Sequence, residues 1–242
     1  MVELTYLDIG REAYEPTLRL QKRLVERVKS APDERAYLVL VEHFPAVITL
    51  GRSTRGAPIV ASRDRLRAEG IEVHESSRGG DVTYHGPGQV VGYPILQLDR
   101  HGRDVHRYLR DLEEVLIRLL ARFGVEGNRS EGLTGVWVGG EKVAAIGIAV
   151  TRWVSYHGFA LNVSTNLSHF DLIVPCGIWG CGVTSLERIL GRKVSVAEVK
   201  APLVECLVGV FGFDGARAGS VSEESPEKET GAGRAAGAEH GA

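Results

Sequence analysis

Residues Val174 to Ser185 read VPCGIWGCGVTS, and within them Cys176 follows a proline and precedes a glycine. A thiol at such a turn is open to a substrate and to backbone N–H donors. That suits a nucleophile, because the attacking form is an exposed thiolate in a favourable electrostatic setting. The ordinary alternative is a buried structural thiol. Cys181 also has glycine neighbours and is a weaker rival, while Cys206 falls on the apolar face of a helical pattern and reads as core. Cys176 and Cys181 have neither a second cysteine pair nor a spaced histidine pair to complete a tetrahedral set, so no metal is expected.

In GGEKVAAIG, Lys142 stands just after a diglycine turn, at the mouth of an apolar strand. It is either a solvated turn residue or, if folding brings it beside a thiol, a cation that lowers the thiol's pKa and exchanges a proton with it. His157, in YHGFALNVS, reads as a core or structural histidine. The richest stretch is RGGDVTYHGPGQ, from Arg78 to Gln89, with Arg78, Asp81, Tyr84 and His85 among glycines. It fits neither G-x-G-x-x-G nor G-x-x-x-x-G-K-[ST], and a strand-like run follows where both require a helix, so a nucleotide-phosphate cradle is disfavoured. What remains is a glycine-rich hairpin corner or a ligand-holding loop, since glycines let backbone approach a ligand and the polar side chains supply hydrogen bonds.

The elements that must position these residues are readable in outline. Leu18, Leu20, Leu24, Val25 and Val28 recur near helical spacing, which predicts a surface helix over about Tyr14 to Lys29. RAYLVLVEHFPAVITLGRST is rich in β-branched and aromatic residues and broken at Phe44-Pro45, the pattern of two short strands joined by a turn. A short helix ending at Gly70 and then a strand follow, and the stretch after Arg78 adds one or two more strands. Asp104 to Phe123 carries a long apolar stripe, capped by Asp104 and closed by Gly124. Strand-like segments on either side of Gly139-Gly140 read as an antiparallel meander, and a last helix spans about Val196 to Phe211. The result is an α+β (α/β) chain: a single domain with a mixed, largely antiparallel sheet flanked by helices. The domain is expected to run over 1–213, with a Gly-, Ala- and Glu-rich tail, 214–242, too poor in large apolar residues to fold.

The bulk numbers exclude some classes. With 29 Lys and Arg against 31 Asp and Glu in 242 residues, the formal charge is -2, which gives no pull toward nucleic acid or anionic lipid. No basic, apolar leader and no membrane-length apolar run is visible, so the chain is expected to be soluble and cytoplasmic. Three cysteines in such a chain argue against a disulfide framework.

Taken in order, RGGDVTYHGPGQVVGYPILQL, GGEKVAAIGIAV, HGFALNVSTNLSHF and VPCGIWGCGVTSL resemble the lipoyl(octanoyl) transferases, octanoyl-[acyl carrier protein]:protein N-octanoyltransferases. The likeness runs from the first helix to about Phe213. It implies the fold shared with biotin and lipoate protein ligases, and an activity without a cofactor: octanoyl passes from octanoyl-acyl carrier protein to one lysine of a lipoyl domain. The acceptors implied are the lipoyl domains of 2-oxoacid dehydrogenase complexes and the glycine cleavage H protein. By the same resemblance Cys176 is the acyl-thioester nucleophile and Lys142 its partner. Arg78, Gly79, Gly80, Asp81, Val82, Thr83, Tyr84 and His85, with Ala145, Ile146 and Gly147 and with Gly158, Phe159 and Ala160, line the acyl pocket. Three other readings stay open: an ATP-dependent lipoate or biotin ligase, a thiol hydrolase using Cys176 with His85 or His157, and a non-catalytic acyl-binding module.

Overall fold

The computed structural model describes residues 2–32, 35–55, 58–174 and 182–222. Its main sheet has seven strands: β1 (Leu4–Glu12), β2 (Ala36–His43), β6 (Gln89–Ile95), β7 (Gly135–Val138), β8 (Glu141–Thr151), β9 (Val154–Asn162) and β10 (Ala216–Ala218). Their order is β10-β1-β2-β6-β9-β8-β7. β1 runs parallel to both its neighbours, and every other pairing is antiparallel.

The sequence of β2 explains why both faces of this sheet are covered. All eight of its residues are buried, and alternate side chains go to opposite sides. Leu38 and Leu40 join a core closed by α3 (Val105–Arg122) and α5 (Val196–Phe211), to which Leu112, Leu116, Leu203 and Leu207 contribute. Tyr37, Val39 and Val41 join a second core under α1 (Tyr14–Ser30), with Leu20, Leu24 and Val28. The cap expected of Asp104 is present, its carboxylate accepting from the Arg107 amide at 3.0 Å. α5 carries a full capping box between Ser195 and Glu198. Cys206 is buried in the first core, and burial pushes its thiol pKa up.

Two features go beyond the sequence reading. The two short strands joined at the cis Phe44-Pro45 bond are present but fall in different sheets. β3 (Ala46–Leu50) leaves the main sheet and forms a second one with β4 (Ile71–Glu75), parallel to it, and β5 (Thr83–His85), antiparallel to it. This sheet has its own core of Ile48, Leu66, Ile71, Val82, Tyr84, Leu172 and Ile173, with Leu66 supplied by α2 (Arg63–Ala68). Its pairings join residues far apart in the chain, and no local pattern encodes them. Second, ordered structure continues past 213: Ala216 to Ala218 pair with Leu4 to Tyr6. Main-chain pairing at a sheet edge needs no large apolar side chain, so composition alone did not reveal it. Residues 223–242, the rest of the expected tail, lie outside the described residues.

Candidate active site

The hairpin β8–β9 folds two of the singled-out segments onto each other. Ala145 is opposite Ala160, Ile146 opposite Phe159, and Gly147 opposite Gly158. Next to them β6 lies so close that a Cβ on Gly158 would stand 2.2 Å from the Gly92 carbonyl oxygen, so only glycine fits there. Across from this strand surface runs the loop 78–82 that leads into the second sheet. Gly79 donates its amide to the Ile148 carbonyl at 2.7 Å, and Arg52 and Ser53 donate to the Arg78 and Gly80 carbonyls, each at 3.0 Å.

Between the two surfaces lies a cavity of about 240 Å³. It is lined by Arg78, Gly80, Asp81, Val82, Thr83, His85, Lys142, Ala145, Ile146, Gly147, Gly158, Phe159 and Ala160. Those residues come from three separate stretches of sequence. The singled-out Gly79 and Tyr84 do not line it. Gly79 holds the loop to β8, and the Tyr84 hydroxyl bonds His169 Nδ1 at 2.7 Å on the far side, where His169 also stands 3.2 Å from Glu69. Burial, with Glu69 nearby, pushes the Tyr84 phenol up to about 12. Sequence reasoning passed over Tyr14, Thr49, Val91, Tyr93, Leu133, Thr134, Phe170 and Val183, which also line the cavity. Tyr14 and Tyr93 carried a signal only as polar-tipped rings inside elements read as helix and strand.

Most of the large polar side chains around the cavity have protein partners, whereas Asp81 Oδ1 is buried with no hydrogen-bond partner among the described residues. Arg78, 8% exposed, donates from Nη2 to the Thr49 carbonyl at 2.7 Å and hydroxyl at 2.9 Å, and from Nε to the same hydroxyl at 3.1 Å. Tyr14 donates to Ser76 Oγ at 2.9 Å. Tyr93 bonds His43 Nε2 at 2.7 Å, and His43 Nδ1 donates to the Glu12 carbonyl at 3.0 Å, which makes Tyr93 the donor in the first of these. His157 has a positive φ of 57°. Its amide donates to Gln21 Oε1 at 2.9 Å, and its Nε2 lies 3.1 Å from Ser77 Oγ. Burial lowers His43 to about 4. Burial, with His43 beside it, lowers His85 to about 3, and burial with Arg78 lowers His157 to about 3. All three rings are therefore neutral near pH 7, and the histidines flanking the cavity are hydrogen-bonding and space-filling groups.

Lys142 lies toward the start of β8, with its ammonium 4.9 Å from the Trp137 ring centroid, within cation–π range. On its other edge its backbone is clasped by the chain that follows residue 181. Lys142 N donates to the Gly182 carbonyl at 2.9 Å, and Thr184 N donates to the Lys142 carbonyl at 3.0 Å. Cys176 and Cys181 fall in 175–181, outside the described residues. The described chain on either side of them is anchored: Val174 N donates to the Pro58 carbonyl at 2.8 Å, and Val183 bridges Lys142. Among the described residues no group of three or more His, Cys, Asp or Glu could hold a metal ion, and no helix is long and apolar enough to cross a membrane.

The catalytic domain of lipoyl protein ligases A and B matches residues 13–208. An octanoyltransferase of Rubrobacter xylanophilus is 51% identical over 210 residues, covering 85% of this chain and 92% of the relative. Another, from Caldicellulosiruptor saccharolyticus, is 50% identical over 201 residues, covering 82% and 85%. Among solved structures, a bi-partite lipoate protein ligase of Thermoplasma acidophilum, studied with its E2 lipoyl domain, superposes with a TM-score of 0.73 at 16% identity over 93% of this chain and 89% of that one. A lipoate-protein ligase A bound with ATP gives 0.72 at 16% identity, over 92% and 90%. At that identity the structural likeness shows the fold.

Proposed function

Because the chain belongs to the octanoyltransferase family of lipoyl protein ligase A/B catalytic domains, we propose that it moves an octanoyl group from octanoyl-acyl carrier protein to a lysine of a lipoyl domain. The acyl group travels by way of a thioester on Cys176. The observation that carries this reading is the position of Lys142. It stands on the wall of a cavity floored by bare backbone and small side chains, and its main chain is bonded to the stretch that emerges from the Cys176 segment.

The chemistry then balances in two steps. The Cys176 thiolate, favoured by the Lys142 ammonium, attacks the donor's thioester carbonyl. The S-octanoyl bond forms, the carrier's thiolate leaves, and Lys142 gives it a proton. The now neutral Lys142 accepts a proton from the acceptor lysine as that amine attacks. The amide forms, the Cys176 thiolate leaves, and the Lys142 ammonium is restored beside it. Backbone N–H groups near Cys176 and Gly177 are the candidates for holding the oxyanion, a contribution of about 3 kcal/mol per donor when preorganised. The eight-carbon chain lies along Ala145–Gly147 and Gly158–Ala160, where each buried methylene contributes about 0.8 kcal/mol. The acceptors are the lipoyl domains of 2-oxoacid dehydrogenase complexes and the glycine cleavage H protein.

Neutral histidines speak against a hydrolase built on His85 or His157, since an imidazole titrating near pH 3 is a poor proton acceptor at neutral pH. The test is intact-mass spectrometry after incubation with octanoyl-acyl carrier protein, with and without ATP, followed by addition of a lipoyl domain. One octanoyl group should appear on Cys176 without ATP and move to the lipoyl domain. Transfer that requires ATP and survives Cys176→Ser would make the protein a ligase, and free octanoate with no lipoyl domain present would make it a hydrolase.

A further inference from the structure

We propose that Gln89 and Asn162 are positioning residues that set the placement of Lys142. The inference rests on the transferase reading only for what Lys142 does, not for how it is held.

Pairing between β8 and β9 ends at Ala144 and Leu161, so the stretch of β8 that carries Lys142 runs on beyond its partner. The vacant edge is taken by Gly182 to Thr184, through the two backbone hydrogen bonds at Lys142. A one-residue bridge of this kind is weak by itself. What fixes it from the core is a side chain: Asn162 Nδ2 donates to the Thr184 carbonyl at 3.0 Å.

Asn162 is in turn held by Gln89, its direct neighbour across β6 and β9, whose Nε2 donates to Asn162 Oδ1 at 2.9 Å and to the Tyr84 carbonyl at 3.2 Å. Gln89 Oε1 closes the row on His85 Nδ1 at 2.8 Å. The direction of the row is forced. The Thr184 carbonyl can only accept, so Asn162 presents its amide nitrogen there and its oxygen to Gln89; Gln89 must then present its oxygen to His85, and Nδ1 carries the proton. The imidazole on the cavity wall and the backbone of Lys142 are thus the two ends of one oriented row.

The cost of such a row argues that its geometry matters. Gln89 is 1% exposed and Asn162 4% exposed, and a buried amide is stabilising only when its donors and acceptors are met. Two apolar side chains in the same place, beside β5, would leave the Thr184 carbonyl and His85 Nδ1 without these partners. The amides add direction: they tie the strand end after residue 181 to the sheet at one spacing, so the Lys142 backbone is gripped from Trp137 on one edge and from Val183 on the other.

The test uses the full-length protein carrying Asn162→Leu, which keeps the branched outline and removes the donor, and Asn162→Ser, which leaves room for a water to reach the Thr184 carbonyl and serves if the first variant folds poorly. Two readouts are needed. The first is the rate at which an amine-selective acetylating reagent labels Lys142, with the exposed Lys193 as internal standard; it is independent of the assigned activity. It should change at least threefold in either variant relative to Lys193, and an unchanged ratio in a folded variant overturns the proposal. The second is octanoyl transfer. There kcat should fall on the order of tenfold to a hundredfold with KM for the octanoyl donor within twofold, as expected when a reacting group is misplaced. In a Lys142→Ala background the same substitution should change the residual rate by less than twofold. An equal fall in both backgrounds would show that Asn162 does not act through Lys142 and would overturn the proposal. Absence of transfer in the unsubstituted protein would instead refute the transferase reading, leaving the labelling result to judge this one.

Discussion

The cavity is bounded by two kinds of wall that follow opposite physics. On the β8–β9 side, the paired residues Ala145 and Ala160, Gly147 and Gly158 shape it by what is missing: their side chains are small or absent and backbones touch. On the other side, Arg78, His85, Tyr93 and His157 are large and polar, and each has a polar side-chain atom bonded to a protein partner. The first wall is limited by space and the second by charge. A cavity for an apolar chain needs both: room along its length, and few polar neighbours left to be desolvated by the ligand; here Asp81 Oδ1 is the exception among the described lining residues.

Acid should break the second wall, and this is the largest effect expected. His43, His85 and His157 titrate near 4, 3 and 3 in the folded protein and near 6.5 when unfolded. Between those values the unfolded chain binds more protons than the folded one, so stability rises with pH there. It is fully present above about pH 6.5 and lost as pH falls toward 3 to 4. Each ring contributes at most about 1.4 kcal/mol per pH unit, so the urea midpoint should hold from pH 8 to 7 and drop steeply from pH 6 to 5. A midpoint unchanged at pH 5 would mean that these rings are not buried and neutral.

Lys142→Ala, at the end of the first wall, should lower octanoyl transfer on the order of a thousandfold while the melting temperature stays within a few degrees. Equal transfer by the variant would remove Lys142 from the chemistry. Its effect on the thiol is read separately, as the pH dependence of Cys176 alkylation: if Lys142→Ala leaves that profile unmoved, the two groups do not interact.

The space-limited wall is sharpened by two glycines. Gly158→Ala would place a Cβ 2.2 Å from the Gly92 oxygen, whereas at Gly79 the nearest atom is 3.4 Å away. Denaturant titration should show a loss of about 3 kcal/mol for the first and less than about 0.5 kcal/mol for the second. Similar losses at both positions would mean that the wall is not limited by backbone contact. A smaller loss than that of Gly158→Ala is expected for Arg78→Lys, which keeps the charge but cannot bond the Thr49 carbonyl and hydroxyl from a planar fork; about 2 kcal/mol should be lost. An unchanged midpoint would show that charge alone suffices.

What was legible in the sequence follows the range of the interaction. Helices α1, α3 and α5 came from apolar spacing and caps within one segment, and the β7–β9 meander from Gly139-Gly140. The second sheet was not legible, because β3 meets β4 and β5 across residues 51–82, and an apolar run looks the same whichever sheet it enters. At the site, Lys142 stood out by its motif, yet its setting depends on Trp137 and on Gly182 to Thr184, which no spacing rule links. Gln89 and Asn162 lay within the quoted motifs but were not singled out, since amides look like ordinary surface residues until the fold buries them. Tyr84 drew notice in the right loop but faces the other way, toward His169.

The two residues Phe44 and Pro45 connect β2 of the main sheet to β3 of the second. One strand run thus serves as the bow of a caliper whose jaws are the two sheets. With two residues between them, β2 and β3 tie the jaws together covalently at that end, and the cavity is lined from both: Val91 and Tyr93 of β6, beside β2, on one jaw, and Thr49 of β3 on the other.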